Sequence, residues 1–464
     1  MCWPRICSWS RFPGFVLVAA ALAGGHLAPA GTLDRPEDHV AIHIPEERLT
    51  SLTPNATQGT GGSKVAVDDS GTIHVAYQIF ENSQFPELGE IGYFFSTDGG
   101  EMWEGVNCYT RYDPAIAVTS DGAVFIASVR CGEVGHWLLG EAVVYDRLVA
   151  GPPHWEFESW LIDTQEGIGA QYSGFFGPPS LALEPVMLGP PAAVFVYEFS
   201  RPEEVIPTPH PEEGNLRLWK SCWEPFPAEP VDLLSSGTEH TFQAPAAAHY
   251  VNSLFESRAS CIVHVHRGSV DSIIHLYERP YGGEWATGTI NLGTTDTMNV
   301  RDLVHGVASR APDFPDPPQR LHAAWVEESE GGGSHIFHRV AGYEFVPGQY
   351  IWSPSAQVSY SQERASHPVI AHKRSVPMVI WEGANDSGFY EIWWSYWNGS
   401  GWEEPLNVSE TPDADSRYPH ICYVPNADPA TGYLHIIWTE PWQGIWEVRY
   451  ERMLIGELPG EELE

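Results

Sequence analysis

Seven short β-favouring runs recur along this chain, and their recurrence limits the available folds more than any other feature. The clearest are "GTIHVAYQ" from Gly71, "QRLHAAWVE" from Gln319, "VPMVIWEG" from Val376 and "GYLHIIWTE" from Gly432. Weaker copies are "GAVFIASVR" from Gly122, "AAVFVYEF" from Ala192 and "SCIVHVHRG" from Ser260. Aligned on their last core position, the runs fall at Tyr77, Ser128, Tyr197, His266, Trp325, Trp381 and Trp438. Most units carry another strand upstream ("DPAIAVT", "HPVIAHK", "YPHICYV") and a third downstream ("EIGYFFS", "EIWWSYW", "IWEVRY"). A turn then leads to a fourth, clearest in "GWEEPLNVS". Four short strands per repeated unit is the pattern of an all-β chain folded as a β-propeller, here with seven blades and with six as the alternative.

The last unit stops after its third strand, at Met453, and the missing fourth is found at the other end of the chain. "IPEERLTSLTPNATQ" from Ile44 mimics "WEEPLNVSETPDADS" from Trp402. An N-terminal strand completing the last blade would close the ring and leave no exposed sheet edge. The expected organisation is a single propeller domain over residues 40–453 with no internal linker, followed by an acidic flexible tail over 454–464. Residues 1–30 read as a signal peptide: Arg5 and Arg11 precede the apolar run "FVLVAAALAGG", and Ala28-Pro29-Ala30 supplies a small-x-small cleavage site. The mature chain is therefore expected to be secreted or held in the cell envelope or periplasm. The apolar run is too short to cross a bilayer comfortably and none later is longer, so no membrane span is expected.

Composition narrows the partners. The 464 residues include 61 acids against 24 Lys plus Arg, a formal charge of -37, which repels phosphate backbones and argues against nucleic acid. The same balance suits solubility, and calcium is the cation such a surface could take; no cofactor is firmly implied. Five cysteines follow the signal: Cys108, Cys131, Cys222, Cys261 and Cys422. An odd count is not a disulfide framework, although Cys108 and Cys131 are close enough in sequence to be the first pair to test. No G-x-S-x-G elbow, H-E-x-x-H helix or phosphate-binding loop is present. The sequons at Asn55, Asn385, Asn398 and Asn407 matter only in a glycosylating host.

One turn stands out. In "FFSTDGGEMW", Ser96 and Asp98 can bond turn amides, Gly100 accepts a positive φ, and Trp103 can pack back under the hairpin. Ser96-x-Asp98-x-Gly100-x-x-Trp103 resembles the Asp box, the S-x-D-x-G-x-x-W hairpin of the sialidase-like propellers with BNR repeats. The resemblance covers nearly the whole mature chain as architecture, but only this unit carries a complete box; "YWNGSGWEEP" and "ERPYGGEW" are degraded versions. It implies a structural hairpin joining third and fourth strands on the face away from the active centre.

Candidate site residues lie at the other end of the strands. Glu198, Glu327, Glu382 and Glu440, with Gln78 and Arg130 in other units, fall just beyond the second strand, on the face where strand one enters. Such a partial acidic ring could hold calcium, a cationic group or sugar hydroxyls. Arg111, Arg301, Arg364 and Arg417 fall in the entries to strand one ("TRYDP", "NVRDL", "QERASHP", "SRYPH"). The sialidase resemblance implies that three convergent arginines could clamp a carboxylate, with a tyrosine nucleophile and its glutamate partner opposite; Tyr112 and Tyr418 are nearby. The family's R-I-P motif is absent, and the arginines stand at different distances from the following proline. His74, His322 and His435 recur at equivalent positions, which fits histidines satisfied between neighbouring sheets. His264 and His266 share a strand face, compatible with a metal, but spacing nominates no third ligand. The expected function is that of a monomeric binding or interaction module for carbohydrate, protein or cation on the strand-one entry face. The alternative is an exo-acting glycoside hydrolase using the arginines.

Overall fold

A computed structural model of the chain describes residues 40–41, 63–80, 90–109, 111–119, 122–131, 141–150, 156–164, 175–176, 180–183, 193–201, 213–220, 231–235, 241–251, 257–267, 270–279, 285–292, 299–308, 320–328, 333–344, 349–359, 364–428, 430–442 and 445–458. The regular elements among them are all β-strands, and these form seven antiparallel sheets. Sheet I contains Val65–Val67, Ile73–Phe80, Glu90–Ser96 and Glu104–Tyr109, and sheet II Arg111–Val118, Val124–Cys131, Glu141–Ala150 and Glu156–Thr164. In sheet III, Phe175–Phe176 and Ser180–Leu183 both pair with Ala193–Arg201, followed by Glu213–Lys220 and Val231–Ser235. Sheet IV contains Thr241–Val251, Ser257–Arg267, Val270–Glu278 and Trp285–Leu292. Sheet V contains Asn299–Ala308, Arg320–Glu328 and Ser334–Glu344, the last paired with both Gln349–Trp352 and Ala356–Gln357. Sheet VI contains Ala365–Lys373, Val376–Ala384, Tyr390–Tyr396 and Leu406–Asn407. Sheet VII contains Arg417–Pro425, Gly432–Trp442 and Ile445–Ile455, with Val40–Ala41 on its far edge.

The recurring runs are the second strands of these sheets. They read as continuous apolar stretches because both faces are covered: Val376 to Gly383 are all buried, as are Leu321 to Glu327. The covering comes from the next sheet along. One hydrophobic cluster joins Met378, Ile380 and Trp394 of sheet VI to Leu434, Ile436 and Trp438 of sheet VII. Others join sheets I and II through Tyr93 and Ile126, IV and V through Ile262 and Trp325, and V and VI through Val326 and Trp381. A further cluster joins Tyr77 and Val75 of sheet I to Ile437 and Tyr450 of sheet VII.

The N-terminal residues pair with the last strand, Val40 opposite Tyr450 and Ala41 opposite Arg449. The segment from Ile44 that resembles a fourth strand lies outside the described residues, as does the signal segment. At the other end the strand runs through Ile455 and Leu458 is buried, so the boundary expected at 453 falls inside packed structure. Among the described residues no helix is long and apolar enough to cross a membrane. Cys261 and Cys422 are free thiols; the side chains of Cys108 and Cys131 lie outside the described residues.

Five of the first strands share an irregularity. Pairing with the second strand shifts between Tyr112 and Ala115, Gln243 and Ala246, Arg301 and Val304, Ser366 and Val369, and Arg417 and His420. Each is a β-bulge, and opposite it stand Ser128, Trp325, Trp381 and Trp438 in four sheets. In sheet IV the opposed residue is Val263, which corrects the alignment on His266 by three residues.

The Ser96–Trp103 hairpin makes the expected local bonds and one further contact. Ser96 Oγ donates to Asp98 at 2.7 Å and accepts from the Gly100 amide at 2.8 Å; Met102 N donates to Asp98 at 3.0 Å, and Trp103 Nε1 to the Gly100 carbonyl at 3.0 Å. Gly100 has φ of 101°, and a Cβ there would strike the Tyr450 ring. Trp103 also meets Tyr450 edge-on at 5.3 Å, so it packs against sheet VII as well as on its own turn. Trp402 meets His338 at 5.1 Å and Trp352 meets His275 at 5.3 Å in the same manner. In each case a tryptophan near the third-to-fourth turn lies edge-on against a third-strand ring of the preceding sheet. Such pairs contribute about 0.5–1.5 kcal/mol beyond area burial.

Candidate functional site

The bulges bring backbone and side chains together at the start of the first strands. Asp113, Asp302, His367 and Tyr418 occupy equivalent bulge positions, all in the left-handed region, with φ of 51°, 51°, 49° and 54°. For residues other than glycine this costs about 1–3 kcal/mol each, so neighbours must hold them. The holding groups come from the preceding sheet or its bulge. Asp113 N donates to Gln78 at 3.4 Å, His367 N to Asp302 at 3.1 Å, and Tyr418 N to Glu382 at 2.9 Å.

Glu382 is the hub. Its side chain is fully buried and its carboxylate accepts five hydrogen bonds. Arg417 donates through Nε and Nη2, both at 2.9 Å; Ser366 Oγ donates at 2.6 Å, His367 Nδ1 at 2.9 Å, and the Tyr418 amide completes the set. Burial alone would raise the carboxyl, but His367 and Arg417 outweigh it and hold it far below the usual range. The His367 imidazole is likewise pulled down by burial, yet Asp302 and Glu382 lift it above its ordinary 6.5. Arg417 lies over the Tyr390 ring at 4.0 Å, and the His367 ring meets Tyr418 edge-on at 4.6 Å. Nδ1 of His367 is committed to Glu382, which leaves Nε2 as the ring nitrogen turned away from that carboxylate, on a side chain 17% exposed.

The predicted residues divide. Glu382 and Gln78 follow Trp381 and Tyr77 by one position and reach the following sheet. Glu327 and Glu440 stand two positions beyond their tryptophans, and strand alternation puts them on the opposite face. There they accept from Trp325 Nε1 at 2.8 Å and Trp438 Nε1 at 3.1 Å. The acids therefore do not form one ring, and among the described residues no group of three His, Cys, Asp or Glu is placed to hold a metal ion. Arg301 is paired to Glu328 at 2.9 Å, Arg417 is taken up by Glu382, and Arg364 is exposed. The side chains of Arg111, Arg130, Tyr112, Glu198 and His266 lie outside the described residues. The recurring histidines are buried and bonded across their own sheets: His74 to Tyr93 at 2.8 Å, His322 to His338 at 3.0 Å, His435 to Tyr450 at 2.9 Å. The Nδ2 atoms of Asn385 and Asn407 both donate to Glu391, and that of Asn398 to Glu403.

Sequence reasoning missed His367, Ser366 and Asp302. A signal existed in "ASHPVIA", where a histidine precedes proline at the place held by Tyr418-Pro419 and Asp113-Pro114.

No protein-family model matches the chain, and no curated protein matches it. Similar solved structures include a protein of unknown function from Dyadobacter fermentans, at 12% identity and TM-score 0.47, covering 92% of this chain and 100% of that one. The NanB sialidase of Streptococcus pneumoniae is similar at 9% identity and TM-score 0.41, covering 92% of this chain and 70% of that one. The levansucrase of Bacillus subtilis is similar at 8% identity and TM-score 0.35, covering 70% and 93%. Likenesses this distant leave the functional reading to the chain's own residues.

Proposed function

We propose that the seven sheets are blades of an exported, sialidase-like β-propeller that acts as a carbohydrate-binding module on its strand-one entry face. Support for the ring comes from the clusters joining consecutive sheets and from the contacts of sheet I with sheet VII. The observation that carries the functional reading is the commitment of Arg417 to buried Glu382 beside two tyrosines and the partly exposed His367 imidazole. Aromatic rings with a few fixed polar groups suit sugar faces and hydroxyls. A carboxylate clamp of the sialidase kind needs free guanidinium edges, and Arg301 and Arg417 already hold glutamates.

The test is a glycan-panel binding measurement on the mature chain and its Tyr390→Ala variant. Selective binding weakened by the substitution supports the reading. Binding to no glycan, or binding indifferent to Tyr390, refutes it, and release of free sugar would favour the hydrolase alternative.

A further inference from the structure

The polar cluster between sheets V, VI and VII is more specific than a surface for sugars in general. Three strands converge on His367: Asp302 from Asn299–Ala308 holds its amide, Glu382 from Val376–Ala384 holds Nδ1, and Tyr418 from Arg417–Pro425 meets the ring edge. Ring orientation is thus fixed by Glu382 and Tyr418, while the left-handed backbone at His367 is held by Asp302. The charged groups facing the imidazole are Asp302, Glu382 and Arg417. Two carboxylates and one guanidinium leave a single negative charge, which an imidazolium neutralises. Deprotonating His367 restores that charge and removes the one Nε2–H directed away from Glu382.

We propose that His367 is the proton-linked ligand contact of this face, its imidazolium Nε2–H donating to an oxyanion carried by the saccharide, a carboxylate or a sulfate. This rests on the carbohydrate-binding reading above and adds the ligand class and its pH dependence. The two carboxylates facing the ring favour the charged imidazole within the accessible pH range. At long range the surface opposes an acidic ligand, since the chain carries a formal charge of -37. That repulsion is screened beyond about 8–10 Å at physiological salt, whereas a contact at Nε2 is not. Affinity should therefore rise with moderate salt, opposite to an ordinary surface ion pair.

The experiment titrates the mature chain with trigalacturonate, a sulfated galactan oligosaccharide and a neutral galactan oligosaccharide. Each is measured by calorimetry one pH unit below and above the His367 midpoint found by NMR. The expected result is that one acidic oligosaccharide binds about tenfold more tightly on the acid side. It also raises the His367 midpoint when bound, and the carboxylated and sulfated arms identify the oxyanion. His367→Asn, which tolerates the left-handed backbone, should flatten the pH dependence while retaining weak binding. Should that variant fail to fold, the ligand-induced shift of the wild-type midpoint decides alone. Acidic binding without pH dependence, or equal binding of the neutral oligosaccharide, overturns the proposal and leaves the binding module standing. No binding by any of the three, together with a blank glycan panel, overturns both.

Discussion

Replacing Glu382 by Gln should cost more stability than any other isosteric change in the described residues. The carboxylate is wholly buried and takes five hydrogen bonds, two from the Arg417 guanidinium and one from an imidazole lifted toward its charged form. Gln fills the same volume but presents an NH2 to donors, leaving Arg417 without its counter-charge and His367 with Asp302 alone. Removing one partner from a buried pair costs about 3–5 kcal/mol, and the left-handed Tyr418 would lose its amide acceptor as well. The pH dependence follows from the two shifts. Glu382 is depressed from its ordinary 4.5, so its contribution is present above 4.5 and is lost as pH falls toward the folded value. His367 is raised from 6.5, so its contribution is present below 6.5 and is lost as pH rises through the folded value. The network is therefore at full strength between 4.5 and 6.5. Urea unfolding followed by tryptophan fluorescence across that range should show a lower midpoint for Glu382→Gln at unchanged slope, with the optimum flattened. A loss below about 1 kcal/mol, or a pH profile matching wild type, would refute the reasoning.

Other perturbations test the frame around the site. Lys64 is buried with its ammonium on the Pro114 carbonyl, and burial lowers its pKa from 10.5 to about 8 despite Asp113. The folded chain thus binds fewer protons than the unfolded one between those values, and stability should rise with pH across them; Lys64→Met should abolish that rise and stabilise by about 1–2 kcal/mol at neutral pH. Trp103→Ala removes the ring on Tyr450 and should cost about 2–4 kcal/mol in chemical denaturation, whereas Met102→Ala on the exposed turn tip should stay within about 0.5 kcal/mol. Burial raises both the Cys261 and Cys422 thiols, the latter to about 11, so buried Cys261 should not react with a thiol reagent until the chain unfolds and partly buried Cys422 should react more slowly than a free thiol.

Much of the architecture was legible because strand-two residues are buried on both faces and leave unbroken apolar runs in the sequence. Four of the seven core markers stand opposite a first-strand bulge; the His266 marker failed because "CIVHVHR" offers several candidates, and only the bulge selects Val263. The site was half legible. Glu382 and Arg417 were singled out, but grouping Glu382 with Glu327 and Glu440 ignored a one-residue offset, and on a strand that offset reverses the face. The arginines misled in a similar way. Arg301 and Arg417 stand immediately before the bulge residue, while Arg111 and Arg364 stand two and three residues before theirs. Left-handed Asp302, His367 and Tyr418 have no common residue type, so their equivalence became visible only through backbone geometry.

The proposed functional surface lies at the strand-one entries of sheets V to VII. Histidine labelling with diethyl pyrocarbonate, read by mass spectrometry with and without the tightest-binding glycan of the panel, tests this most directly. His367 should be modified in the free chain and protected in the complex, while buried His74, His322 and His435 stay unmodified in both. Unchanged labelling of His367 at saturating glycan would contradict it.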